Sequence, residues 1–266
     1  MKTEILTCLP QGFPWGSELH CFDTVDSTNT LAKTMASQGA PHGAVLIAEQ
    51  QTGGRGRLGR SFQSPPGCGI YLSVILRPNC APRELMHLTC GAGVAMCDAV
   101  EAAAGLRPGI KWTNDLVFGG RKLGGILTEL TLDPGTSLVD SAVVGIGINC
   151  CQRPEDFSPE LRDMAASLEM VTGKPVSRSL LAARMIQALY RMSENLLTGK
   201  AWMMTQYRRD CVTIGQEIAL LRGGTTRHGR AVGVDDDGAL LVEFTPGIPE
   251  AVNSGEVSIR GMYGYT

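Results

Sequence analysis

Two apolar segments separated by a long glycine- and arginine-rich stretch constrain the fold of this chain most strongly. Residues 44–48 (AVLIA) and 70–76 (IYLSVIL) each have the pattern of a buried strand, and about twenty residues lie between them. Connections of that length are uncommon inside a compact domain and are often functional. Residues 53–60 within it are GGRGRLGR, so the backbone can approach a ligand closely and three arginines can meet an anion.

Three of these glycines, Gly54, Gly56 and Gly59, satisfy the G-x-G-x-x-G pattern of dinucleotide-binding folds. That fold needs a helix to begin at the third glycine, and residues 61–67 (SFQSPPG) cannot form one because they contain two prolines. The context therefore excludes a dinucleotide fold. A phosphate-binding loop and a basic loop that is merely solvated remain as interpretations, and the position directly after a buried strand favours anion binding.

Composition narrows the class of protein. Glycine makes up 33 of 266 residues, roughly 12% against a usual share near 7%, but without the three-residue period of collagen. The net charge of −2 gives no chain-wide positive potential, so we expect no DNA partner, and no apolar run is long enough for a membrane partner or a signal peptide. Nine cysteines without a C-x-x-C pair predict free thiols and a cytoplasmic location.

The apolar pattern divides the chain into three parts. Residues 1–20 carry so many prolines and glycines that we expect a leader without a helix or long strand. Residues 21–211 form the predicted ligand-binding domain, and residues 212–266, with short β segments between glycine-rich turns, form a small all-β domain. The predicted helices lie between 27 and 39, over 82–104 and within 173–210, and the predicted strands over 44–48, 70–76, 110–112, 116–118, 123–132 and 141–148.

A predicted hairpin brings polar residues together. The pair Gly119-Gly120 is typical of a tight turn, which places Asn114 and Asp115 beside Lys122 on adjacent strands. These residue types are also common in turns and at sheet edges, so a purely structural role stays open. The chain has no H-E-x-x-H or G-x-S-x-G motif, which leaves zinc chemistry and a nucleophile elbow without support.

Glycine also occurs inside predicted strands, where it weakens a sheet unless a ligand or another backbone comes close. Gly124 and Gly125 are adjacent, and Gly145 alternates with Gly147. Strands without side chains on one face could form the floor of a ligand-binding slot. Tight packing of a helix on the sheet would explain the same glycines equally well. We expect the strand over 141–148 at an exposed edge, where a second copy could pair to form a homodimer.

Five motifs in order resemble the biotin protein ligase family: DSTN at 26–29, Gln51 with GGRGRLGR, KWTND at 111–115, RKLGGILTE at 121–129 and GIGIN at 145–149. The resemblance implies an α+β fold, with a mixed β-sheet flanked by helices and a small C-terminal SH3-like β-barrel. It implies biotin and ATP as substrates, Mg²⁺, a biotinyl-5′-AMP intermediate, and as partner a lysine of the biotin carboxyl carrier domain of a carboxylase. About twenty residues precede the motifs, so the monofunctional type without an N-terminal DNA-binding domain is expected.

The resemblance also implies roles for individual residues. Those that match catalytic positions are Lys122, Arg57 and Asp115. Those that match biotin contacts are Ser27, Thr28, Asn29, Gln51, Gly54, Arg55, Arg57, Lys122 and Gly125. Those that match ATP contacts are Arg55, Arg57, Arg60, Phe62, Asn114, Asp115, Lys122, Asn149 and Arg260. Asp115 is the candidate ligand for Mg²⁺, which the phosphates would also hold, and Glu256 matches a position at the domain junction. Thr113 and Phe62 depart from the family, which usually has Pro and often has Trp at these positions.

Three other functions compete with this interpretation. A lipoate or octanoate ligase shares the fold and modifies lysine in the same way. A biotin-responsive repressor would need a helix-turn-helix, for which the residues before the motifs are too few. A non-catalytic nucleotide-binding module would bind ATP without releasing pyrophosphate.

Overall fold

The chain folds around two β-sheets, as a computed structural model that describes residues 1–253, 255–259 and 262 shows. A seven-stranded mixed sheet is followed by a five-stranded antiparallel sheet. The strands of the first sheet are β1 (Leu19–Val25), β2 (Val45–Gln51), β3 (Gly69–Leu76), β4 (Gly109–Lys111), β5 (Asp115–Phe118), β6 (Arg121–Leu132) and β7 (Val139–Asn149). Those of the second are β8 (Glu217–Arg222), β9 (Thr225–Val234), β10 (Leu240–Thr245), β11 (Ile248–Val252) and β12 (Glu256–Ile259).

The first sheet has the strand order β1-β2-β3-β7-β6-β5-β4, in which only β1 and β2 run parallel. All eight residues of β3 are buried, as expected for a central strand covered on both faces. The strand over 141–148 was expected at an edge, and this prediction is wrong. It belongs to β7, which pairs with β3 on one side and β6 on the other, so its backbone groups are already used.

Helices cover both faces of this sheet. They are α1 (Lys2–Cys8), α2 (Thr28–Ser37), α3 (Leu88–Ala104), α4 (Leu168–Thr172), α5 (Arg178–Glu194) and α6 (Lys200–Asp210). The main core lies between the sheet and α3, α5 and α6. A smaller cluster beneath α2, with Ala32, Leu46 and Val143, closes the other face. The alternation along β2, where Val45 and Ile47 join the main core and Leu46 the smaller one, follows from the two-residue period of a strand. The predicted mixed sheet with flanking helices is therefore confirmed.

Helix α2 forms as its sequence predicts. The Ser27 side chain accepts a hydrogen bond from the backbone N–H of Thr30, which caps the helix start. Gly39, just beyond the helix end, has a φ of +91°, a conformation that glycine adopts without the steric cost of a Cβ atom.

The expectation of a leader without a helix in residues 1–20 is wrong. Residues 2–8 precede the prolines and glycines, and they form α1, which packs on α5. Ile5 is fully buried, and the indole of Trp15 lies edge-on to Tyr190 with the ring centres 5.4 Å apart. The segment therefore contributes to the core both through its helix, at Ile5, and through Trp15, which stands between Pro14 and Gly16 and is nonetheless buried.

The second sheet has the order β11-β10-β9-β8-β12 and forms the small SH3-like domain that the sequence predicts. It is fastened to the first sheet through Trp112. The backbone N–H of Trp112 donates to the Thr213 hydroxyl at 2.9 Å, and its indole N–H donates to the Gly238 carbonyl at 2.8 Å. Across the described ranges, none of the helices has the length and apolar character needed to cross a membrane.

Candidate functional site

A cavity of about 900 Å³ opens where the glycine- and arginine-rich loop faces α2, the β5–β6 hairpin, β7 and the β12 end of the small domain. The predicted site residues that line it are Ser27, Thr28, Asn29, Gln51, Arg55, Arg57, Arg60, Phe62, Asn114, Asp115, Lys122 and Gly125. Gly145 and Gly147 line it as well, so all five sequence motifs contribute to one cavity. Its volume falls in the upper part of the range for small-molecule sites, which is enough for a ligand larger than a single metabolite ring.

One group of lining residues is neutral and hydrogen-bonded. The backbone N–H of Thr28 donates to Oε1 of Gln51 at 2.8 Å, and Nε2 of Gln51 donates to the Ser64 hydroxyl at 2.9 Å. The buried Ser73 hydroxyl on β3 lies 2.8 Å from the Thr28 hydroxyl and 2.7 Å from Oδ1 of Asn29. These contacts hold the first turn of α2 to the sheet, so the polar atoms that face the cavity are fixed before a ligand arrives.

A second group is charged. Nζ of Lys122 lies 2.7 Å from Oδ1 of Asp115, and a guanidinium N–H of Arg57 donates to Oδ1 of Asn114 at 2.8 Å. The turn at Gly119 and Gly120, with φ of +56° and +77°, closes the hairpin that brings these residues together, as predicted. Nδ2 of Asn114 donates to the carbonyl of Ile126, which fixes the side chain. An anionic ligand would therefore meet cations that are already positioned beside the cavity.

The strand glycines have side chains stacked directly on them. A Cβ atom on Gly145 would lie 1.8 Å from Oδ1 of Asn29, and one on Gly147 would lie 2.4 Å from Cε1 of Phe62. Gly124 faces the carbonyl of Gly147, which a Cβ would approach to 2.4 Å. The ligand-slot and tight-packing interpretations of these glycines are therefore compatible. Gly145 and Gly147 line the cavity and also leave room for the side chains packed on them.

The loop over the cavity is tied down at only a few points. Arg55, whose side chain is 47% exposed, reaches Oε1 of Glu129 at 3.5 Å. Leu58, 73% exposed, has a φ of +54°, which is unfavourable for a residue with a branched side chain. The Phe62 ring lies edge-on to Tyr71, with centres 6.4 Å apart. Few contacts and an exposed tip are the features of a segment that can rearrange around a ligand.

Two predicted site residues, Gly54 and Asn149, are not among those that line the cavity. The backbone at Gly54 leaves no room for a side chain, since a Cβ would lie 2.3 Å from the Phe62 carbonyl. The buried Asn149 side chain donates to the Ala166 carbonyl at 3.1 Å and accepts from Gln152 at 3.2 Å, so it holds the segment after β7. Arg260 and the Glu256 side chain lie outside the described residues.

Sequence reasoning missed several residues at the site. Ser73 and Glu129 support the lining side chains, and the two-residue period of β3 and β6 was the one signal that could place them on the cavity face. Other residues that it missed come from segments distant in sequence, and they include Ser158, Glu160, Leu161, Met164, Ala165, Gly255, Val257, Ser258 and Met262.

The donors present suit a magnesium ion that is held mainly by a substrate. Within the described residues, no cluster of three or more His, Cys, Asp or Glu could hold a metal ion by itself. Mg²⁺ is commonly held by one or two carboxylates together with substrate phosphates, and Asp115 supplies one carboxylate at the cavity wall. The residues therefore fit Mg²⁺ only together with a phosphorylated ligand.

Comparison with known proteins agrees with this geometry. Residues 21–149 match the Biotin/lipoate A/B protein ligase family, and residues 213–260 match the biotin protein ligase C-terminal domain. The chain is 34% identical over 249 residues to a bifunctional ligase/repressor of Bacillus subtilis, covering 93% of this chain and 73% of that protein. It is 31% identical over 241 residues to the biotin–[acetyl-CoA-carboxylase] ligase of Paracoccus denitrificans, covering 89% of this chain and 98% of that protein.

A solved structure extends the likeness to three dimensions. The biotin protein ligase of Aquifex aeolicus, in complex with biotin and ATP, superposes with a TM-score of 0.76 at 30% identity. The match covers 91% of this chain and 98% of that one, and so includes both sheets. The sequence motifs, the cavity that joins them and these likenesses agree, and the chain belongs to the biotin protein ligase family of enzymes.

Proposed function

We propose that the protein joins biotin to ATP as biotinyl-5′-AMP and then transfers the biotinyl group to a lysine of a biotin carboxyl carrier domain. The observation that carries this proposal is that one cavity combines a fixed neutral group at Thr28, Asn29 and Gln51 with a cationic group at Arg57 and Lys122. A ligand with a neutral polar ring and a carboxylate, placed beside a polyphosphate, suits that combination.

The first step brings two anions together. An oxygen of the biotin carboxylate attacks the α-phosphorus of ATP, a new P–O bond forms, and pyrophosphate leaves. Lys122, Arg55 and Arg57 lower the repulsion between these anions and stabilise the charge that develops on the phosphoryl oxygens. Asp115 holds the Lys122 ammonium at 2.7 Å, which orients it toward the hairpin side of the cavity. Mg²⁺, held by Asp115 and the phosphates, would supply further charge neutralisation.

The second step needs no protein nucleophile. The neutral ε-amine of the acceptor lysine attacks the biotinyl carbonyl carbon, the acyl C–O bond breaks, and AMP leaves. The new amide nitrogen gives up one proton, which the leaving phosphate or water takes up. The described residues that line the cavity include no Cys and no His, in keeping with direct transfer. The mixed anhydride hydrolyses in water, so the loop that carries Arg55, Arg57 and Phe62 would have to cover it between the two steps.

Mass spectrometry tests the whole reaction. A purified carrier domain of a biotin-dependent carboxylase is incubated with the protein, biotin and MgATP. We expect one biotinyl addition, which requires both biotin and ATP. A carrier domain whose acceptor lysine is replaced by arginine is the matched control and should stay unmodified. An unchanged mass for the intact carrier domain would refute the proposal.

Lipoate or octanoate ligation is the second candidate, since the matching family includes lipoate ligases. The match of residues 213–260 to a biotin protein ligase domain favours biotin. Competition between equal concentrations of labelled biotin and labelled lipoate decides between them. Binding of ATP without pyrophosphate release in the presence of either acid would instead indicate the non-catalytic nucleotide module.

We also propose the division of the chain into residues 1–20, a catalytic part over 21–211 and the SH3-like part over 212–266, with the first segment packed onto the catalytic part. A reducing, cytoplasmic location agrees with the nine cysteines, all of which are free thiols.

A further inference from the structure

The side-chain amide of Asn29 is held in one orientation. Its Nδ2 lies 3.0 Å from Oε2 of Glu129 and 3.2 Å from the carbonyl oxygen of Leu127. A carboxylate and a carbonyl only accept hydrogen bonds, so the amide nitrogen must face them. On the other side, Oδ1 accepts from the Ser73 hydroxyl at 2.7 Å. The protein thus uses both N–H groups of Asn29, and one lone pair on Oδ1 remains for a ligand.

Glu129 is well placed to keep this arrangement. Its Oε1 lies 2.7 Å from Nζ of Lys33, which is one helical turn after Asn29, so a single carboxylate binds two successive turns of α2. Burial acts to raise the pKa of Glu129, but hydrogen bonds from Lys33 and Asn29, with the charges of Lys33 and Arg55, lower it overall. The carboxylate is therefore ionised at neutral pH and remains an acceptor.

The neighbouring Thr28 hydroxyl, like Asn29, can only accept a hydrogen bond from a ligand in the cavity. Ser73 has one hydroxyl proton, and Oδ1 of Asn29 can only accept, so that proton points to Asn29. The Thr28 proton then goes either to Ser73, at 2.8 Å, or to Oε1 of Gln51, at 3.0 Å. In both cases it is used inside the protein. Thr28 and Asn29 consequently offer lone pairs to a ligand, and neither offers a proton.

We propose that Glu129 and Ser73 are positioning residues that determine specificity, because they keep Asn29 as an acceptor and so select a ligand with an N–H group at this place. The inference rests on the proposed function, in which the ligand is biotin. The cyclic urea of biotin carries two N–H groups, whereas lipoate and octanoate carry none. Without Glu129 only the longer contact to the Leu127 carbonyl, at 3.2 Å, still holds Nδ2, so the amide turns over more readily. The Ser73 hydroxyl can accept as well as donate, and the turned Asn29 would present N–H to the urea N–H.

The test compares biotin with biotin methylated at one ureido nitrogen, using initial rates of pyrophosphate release. For Glu129→Met we expect kcat/KM for biotin to fall about tenfold, the usual size for one lost hydrogen bond, through KM rather than kcat. The kcat/KM for the methylated analogue should change less than about twofold. The preference, defined as kcat/KM for biotin divided by kcat/KM for the analogue, therefore falls about tenfold. Ser73→Ala leaves Glu129 in place and should lower the preference about threefold.

Two further variants separate positioning from a structural role. In the double variant Glu129→Gln, Lys33→Met the one remaining acceptor oxygen is available to Asn29, because Lys33 no longer competes for it, and most of the preference should return. Glu49→Met is the matched control: Glu49 pairs with Arg178 at 2.7 Å on the same sheet and does not line the cavity, so its loss should leave the preference unchanged. A preference within twofold of the unmodified protein in both Glu129→Met and Ser73→Ala would overturn the inference, as would equal losses for both ligands. An unmodified protein that releases no pyrophosphate with biotin would instead refute the proposed function.

Discussion

Nζ of Lys122 lies 2.7 Å from Oδ1 of Asp115, on the strand next to it, although seven positions separate them in sequence. The ammonium is therefore fixed at the cavity wall without a ligand. We expect Lys122→Ala to lower biotin-dependent exchange of labelled pyrophosphate into ATP by about 10²–10³, the usual loss for one preorganised donor of charge. Arg121→Ala, which removes a cation that does not line the cavity, is the control and should exchange within about twofold. A similarly small effect for Lys122→Ala would contradict its role.

Arg57 connects the loop to the hairpin through Oδ1 of Asn114, at 2.8 Å. Because this contact holds the loop across the cavity, Arg57→Ala should let biotinyl-adenylate escape before transfer. Rapid chromatography of reactions without a carrier domain should then show free adenylate in solution. Arg57→Lys keeps the positive charge but loses the planar guanidinium group, so this variant should release an intermediate amount of biotinyl-adenylate. Equal adenylate retention by all three proteins would rule out closure by this residue.

Gly145 has no space for a side chain, since a Cβ would lie 1.8 Å from Oδ1 of Asn29. Gly145→Ala should lower the free energy of unfolding by about 1–3 kcal/mol, because either β7 or the start of α2 must shift. It should also weaken biotin binding, measured by calorimetry. Gly233→Ala is the control, since a Cβ there would meet Leu241 at an ordinary distance of 3.5 Å. Equal stabilities of the two variants in urea would show that the stacking on Gly145 is unimportant.

Asp210 gives a pH dependence of stability. Burial acts to raise its pKa, but hydrogen bonds and charges from Arg107 and Arg209 lower it below the ordinary value of 3.8. A carboxyl group whose pKa is lower in the folded state contributes stability above its unfolded pKa and loses it as the pH falls. We therefore expect Asp210→Asn to cost about 2–3 kcal/mol at pH 7 and progressively less as the pH falls below 3.8.

The control for this effect is Asp236→Asn, because Asp236 pairs with Arg208 at an exposed position. Unfolding in urea between pH 7 and pH 3 should show little change for that variant. A cost for Asp210→Asn that stays constant over this range would contradict the assignment of the stabilising effect to the ionised carboxyl group.

The elements that the sequence predicted well are those whose local signals agree. For α2, a capping residue at Ser27 or Asp26, the apolar face and Gly39 all indicate nearly the same boundaries, and in the structure Ser27 is the cap. The hairpin at Gly119 and Gly120 is similar, because its turn chemistry determines which residues face each other. The order of the five motifs was then enough to predict that the site residues lie together, although it gave no distances between them.

The errors have physical causes. Helix α1 is only seven residues long, and its stability comes from packing on α5, which local propensity does not report. The pairing of β7 with both β3 and β6 is a property of the whole sheet, but the unbroken apolar run over 142–148 is typical of a strand buried on both faces, and the edge prediction overlooked it. The direction of the Asn149 side chain was not predictable from the motif, because it depends on Gln152 and Ala166, which lie on a segment without regular periodicity.

The two hydrogen bonds from Trp112 to Thr213 and Gly238 have a practical consequence for inhibition. Trp112 stands two residues before Asn114, so a compound that wedges into the small domain near Gly238 would pull on the strand that presents Asn114 and Asp115. A compound bound between the two sheets would therefore act on the charged side of the cavity through Trp112.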